Sequence, residues 1–112
     1  MNVYDCAHNL ATAVKESEEY KDFKRQEEKV NANPDLSKMI KDFQQKSIDF
    51  QLKQMSGDAV DSDFQNSLQQ LYGIVMQDPQ AANYLQASMR FSIMMKDVYE
   101  ILGEVTGTDG LL

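Results

Sequence analysis

The chain has 112 residues, 42% apolar and 26% charged, which suits one domain with one modest core. Its net charge of −7 excludes nucleic-acid binding by the surface at large, because a polyanion is repelled by it. The single cysteine, Cys6, excludes an internal disulfide and a four-thiolate metal site.

From the first residues, Val3, Ala7, Leu10, Val14 and Ser17 recur in steps of four and three, the spacing of one helical face. The phase then slips: Tyr20, Phe23, Glu27 and Val30 form a second set one residue out of step. Ser17 stands at the slip, and serine caps helices well. The pattern fits two helices with a bend near 16–18 or one helix with a phase slip. Lys21, Lys24, Arg25 and Lys29 are the best basic patch in the chain. Glu18, Glu19, Asp22, Glu27 and Glu28 are interleaved with them, as on a solvated helix face.

Asn33 is a good N-cap, and Pro34 suits a first helical position, where its missing N–H costs nothing. Leu36, Ile40, Phe43, Ser47, Phe50 and Gln54 then hold one face. Asp42–Lys46 and Asp49–Lys53 read as exposed i,i+4 pairs worth ~0.2–0.5 kcal/mol each. The helix should stop at Ser56-Gly57. Residues 57–61 read as a loop, and Ser62-x-x-Gln65 as a capping box. Phe64, Leu68, Leu71 and Val75 give a third face, interrupted by Gly73, which weakens a helix by up to ~1 kcal/mol unless it permits close packing.

Asp78 caps and Pro79 begins the last helix, whose seven-residue period runs through Tyr84, Phe91, Met95, Val98, Leu102 and Val105. Gly107 is its natural end. At ~1.5 Å per residue this helix is about 40 Å long, against a diameter near 34 Å for a compact chain of this size. The expected fold is therefore all-α: an elongated bundle of about five helices, two of them long and beginning at Pro34 and Pro79. Residues 1–106 form a single helical domain and residues 107–112 a flexible tail.

Little in the sequence points to chemistry. His8 has no partner for a metal site or a nucleophile relay. Asp58, Asp61 and Asp63 cluster, but counting from Asp58 the sixth and twelfth places are Asp63 and Gln69, where a calcium loop needs Gly and Glu. No phosphate loop, nucleophile elbow or zinc-protease motif is present. No enzymatic activity, cofactor or metal is expected. The seven methionines, Met94 above all, fit an adaptable contact surface. The residues expected to form an interface are Phe91, Met94, Met95, Val98 and Leu102, with Phe43 and Phe50 as core partners.

NVYDCAHNLATAVKESEEYKDFK, NPDLSKMIKDFQQK and NYLQASMRFSIMMKDVYEILGE together resemble the YlbF/YmcA family of small helical bacterial proteins, its YheA-like branch in particular, over residues 2–106. The resemblance implies an all-α fold, association between chains, and a part in Gram-positive regulation. Relatives affect competence, sporulation and biofilm formation within a complex that modulates an endoribonuclease. Some relatives have extra cysteines and are associated with iron–sulfur clusters, whereas here Cys6 stands alone. The expectation is a non-enzymatic interaction module acting as a cytoplasmic regulator or adaptor. Its partners would be a second copy of the chain, as a homodimer or larger homo-oligomer, and a protein of a regulatory complex. No apolar run reaches the ~20 residues that cross a bilayer, and MNVYDCAHNL has no basic or apolar leader, so no membrane is expected. Nucleic acid enters only in the alternative reading, an accessory factor binding through the Lys21–Lys29 face.

Overall fold

A computed structural model describes residues 1–57 and 62–107. It is all-α, with five helices: α1 (Val3–Glu16), α2 (Glu18–Asn31), α3 (Pro34–Met55), α4 (Ser62–Gln77) and α5 (Pro79–Thr106). The two long helices begin at Pro34 and Pro79, as the Asx-Pro pairs predict. Residues 58–61, with Asp58 and Asp61, and residues 108–112 of the expected tail lie outside the described residues.

The helix boundaries follow from side chains that satisfy backbone N–H groups left open at helix starts. Asn2 Oδ1 accepts from the Tyr4 and Asp5 amides at 2.8 and 3.2 Å. Asn33 Oδ1 accepts from Leu36 N–H at 3.2 Å, and Asp78 Oδ1 from Gln80 and Ala81 N–H at 2.9 and 3.2 Å. Residues 3–31 form two helices, and Ser17 is the reason. Its backbone is extended, φ −68° and ψ 151°. Its hydroxyl donates to the Val14 carbonyl at 2.6 Å and accepts from Tyr20 N–H at 3.2 Å. One residue thus closes α1 and caps α2. Gly57 and Gly107 follow α3 and α5 at φ +78° and +70°, the left-handed conformation that only glycine adopts without strain.

The chain divides into two compact units, with the divisions falling inside α2 and α5. Unit 2, Glu27–Tyr84, holds nearly all of the buried apolar side chains: Val30, Leu36, Ile40, Val75 and Ala81. Within it α3 packs on α4. The Phe43 ring lies 5.6 Å from Tyr72, and Phe50 stacks on Phe64 with centroids 6.4 Å apart. Phe43 and Phe50 are half-buried, and these ring contacts to α4 lie within unit 2. Lys53 places its Nζ 4.6 Å from the Phe64 ring centre, and Asp49 accepts from Gln45 Nε2 at 3.1 Å. The expected Asp49–Lys53 pair is replaced, because an exposed ion pair is weak and a cation over an aromatic face competes with it. Gly73 is exposed, and a β-carbon added there would meet no atom within 4 Å. The close-packing role that would have justified a glycine is absent.

Unit 1 comprises Met1–Gln26 and Leu85–Leu112. Phe91 is its aromatic centre. Its ring stacks on Phe23, with centroids 5.4 Å apart and planes 1° from parallel, and meets Tyr20 edge-on at 5.7 Å and 60°. Apolar burial in unit 1 is sparse. Among its described residues Ala87 is the one buried apolar side chain, and α1 buries none of its fourteen residues.

Candidate interaction surface

The expected interface residues all lie on α5, in unit 1. At 100° per residue, Phe91, Met95, Val98 and Leu102 fall on one side of the helix. Phe91, Met95 and Val98 are half-buried, while Leu102 remains 48% exposed. The Phe91 ring is engaged by Phe23 and Tyr20 of the same chain, so it is structural within the unit. Met94 is offset from that side and half-buried, at the edge of the outward face.

The outward face contains residues that the heptad reading passed over. Ile93 is 52% exposed and Ile101 61% exposed, and Val105, which the heptad period does include, is 89% exposed. Ile93, Asp97 and Ile101 recur at steps of four, and Arg90 lies one turn before Met94, so a single stripe carries all five. The signal was present in the sequence as an i, i+4, i+8 spacing. It was masked because a stronger apolar period ran through Phe91 on the inward side. On α1, Val3, Tyr4 and Leu10 are exposed as well, while Val14 near the end of the helix is half-buried.

A groove of about 600 Å³ runs between α2 and α5 within unit 1. Ala87, Ile93 and Met94 form its apolar lining, and charged side chains stand around them. Four carboxylates, from Glu18, Glu19, Asp22 and Asp97, outnumber the guanidiniums of Arg25 and Arg90. Arg25 Nη1 is 3.1 Å from Asp22 Oδ1, so that pair is closed. Arg90 Nε reaches only the Gln86 carbonyl, at 3.5 Å, a long contact one turn back along its own helix. Neither Arg90 nor Asp97 meets an opposite charge among the described residues.

The basic face of α2 is divided in the same way. Arg25 is bound to Asp22, and acidic residues separate the remaining cations. Cys6 is an exposed thiol. No group of three or more His, Cys, Asp or Glu is arranged to hold a metal among the described residues. No described helix is long and apolar enough to cross a membrane.

Comparison with known proteins places the chain in a family context. Residues 3–105 match the family described as "Control of competence regulator ComK, YlbF/YmcA". The chain is 36% identical over 107 residues to the UPF0342 protein STH1710 of Symbiobacterium thermophilum, covering 96% of each chain. It is 41% identical over 103 residues to a UPF0342 protein of Caldicellulosiruptor bescii, covering 92% of this chain and 87% of that one. Its fold is similar to that of a protein of unknown function (DUF964) from Bacillus stearothermophilus, with a TM-score of 0.78, 22% identity, and coverage of 94% and 92% of the two chains.

Proposed function

The chain belongs to the YlbF/YmcA family, a family described by control of a competence regulator, and on that premise we propose that it is a non-enzymatic cytoplasmic regulator or adaptor that works by protein–protein contact as a homodimer. The observation that carries this reading is the sparse burial in unit 1. Ordering a backbone costs ~1–2 kcal/mol per residue, and unit 1 sets against this one fully buried apolar side chain, Ala87, and a half-buried cluster around Tyr20, Phe23, Phe91, Met95 and Val98. Apolar faces on α1 and α5 supply the missing burial when another chain covers them. Each half-exposed Ile or Leu fully covered adds about 1 kcal/mol at ~25 cal/mol per Å². Ile93, Met94 and Ile101 are the working surface on α5, with Phe91 supporting the helix from behind.

The test is the mass in solution, by light scattering, over a concentration series. A dimer in the micromolar range is expected. Ile93→Asp and Ile101→Asp place a charge on exposed positions and should yield folded monomers, with helicity checked by circular dichroism. A wild-type chain that stays monomeric, or variants that remain dimeric while folded, would show that this surface does not join two copies.

A further inference from the structure

The outward stripe of α5 is self-complementary under a two-fold axis. Arg90 and Asp97 are seven residues apart, two turns along one face, with Ile93 and Met94 between them. Both are exposed and lack an opposite charge among the described residues. A dyad between positions 93 and 94 lays a second α5 antiparallel on the first. Arg90 then faces the partner's Asp97, Asp97 faces the partner's Arg90, and Ile93 meets the partner's Met94. Two-fold contacts are isologous, so every such pair occurs twice.

Resting on the homodimer reading above, we propose that a second copy of this chain docks on α5 in this antiparallel register, held by reciprocal Arg90–Asp97 pairs around an Ile93–Met94 centre. Charge selects this occupant. Two chains of net charge −7 repel overall, so a register that sets cation against anion at the contact is favoured over one that sets like charges together. Arg90, Ile93, Met94 and Asp97 of the stripe form the α5 side of the groove, whose α2 side carries Glu18, Glu19, Asp22 and Arg25. Arg90 is the cation on α5 that is left without a carboxylate, and the register delivers it to one. A parallel pairing would set Arg90 against Arg90 and Asp97 against Asp97.

The test is a charge swap read as dimer dissociation constant by sedimentation. Arg90→Asp and Asp97→Arg each convert two attractive pairs into two repulsive ones, and each should weaken the dimer roughly tenfold. The double variant restores opposite charges and should recover to within about threefold of wild type. Arg90→Gln, which is neutral and tolerated in helices, should weaken the dimer about threefold and covers the case in which a reversal fails to fold. A spin label at Gln86→Cys, with Cys6→Ala, reads direction. The register puts the two Gln86 backbones about 24 Å apart, whereas a parallel pair puts them about 10 Å apart. A wild-type monomer overturns both the register and the homodimer. A wild-type dimer whose single variants bind as wild type, whose double variant is no better than the singles, or whose labels lie close together overturns the register and leaves the homodimer standing.

Discussion

Replacing Phe91 with Ala separates an internal role from an interfacial one. Full burial would set the cost of a Phe→Ala change at ~3–5 kcal/mol. Phe91 is half-buried, which halves the transfer part, but it also makes two ring contacts, stacked on Phe23 at 5.4 Å and edge-on to Tyr20 at 5.7 Å. Each such contact is worth ~0.5–1.5 kcal/mol beyond area. The expected loss is about 3 kcal/mol for Phe91→Ala. For Phe91→Leu, which keeps most of the apolar surface and removes only the ring pairs, it is about 1–2 kcal/mol. Urea unfolding followed by circular dichroism measures both. Wild type and variants are compared at two protein concentrations tenfold apart, and an unchanged dependence on urea shows that the same surface is exposed on unfolding. An internal ring gives the same loss at both concentrations. A loss under ~1 kcal/mol, or one that disappears on dilution, would refute the reasoning and return Phe91 to the interface.

Gly73→Ala should stabilise the chain by ~0.5–1 kcal/mol, because the new methyl meets no atom within 4 Å and the helix gains a better former. The measurement is the urea midpoint, and a fall in it would reveal a neighbour in the assembled state. Asp78→Ala should cost about 1 kcal/mol by leaving the Gln80 and Ala81 amides uncapped, while Asp78→Asn should keep most of that stability, since Asn caps as well as Asp. Equal losses from both would point to the charge of Asp78 rather than its capping oxygen.

The local features were legible in the sequence because they depend on residues within a turn of one another. Asn33 and Asp78 cap, the prolines after them start helices, and Gly57 and Gly107 end them. The face of α4 at Phe64, Leu68, Leu71 and Val75 is the covered one, and Val75 is fully buried. Between residues 3 and 31 both readings fitted the spacing. The extended ψ of Ser17 decided for two helices, because its hydroxyl could bond in both directions.

The exposed side of α5 was only partly legible. Helical period locates an apolar side but does not say which other element covers it. On α5 the strong period is half-buried at Phe91, Met95 and Val98 and exposed at Leu102 and Val105, while Ile93 and Ile101 are exposed on another side of the helix. Surface pairing was similarly misjudged at Lys53, whose charge found an aromatic ring brought close by α4 rather than the carboxylate four residues away.

By itself, then, the sequence determined the class of fold, the places where helices begin and end, and the family, since capping, period and motif are properties of short range. Tertiary structure alone decided which side chains of α5 are covered inside unit 1 and which stay exposed. That depends on where Phe23 and Tyr20 are carried by the turn at Ser17, and no spacing along one helix contains the position of another.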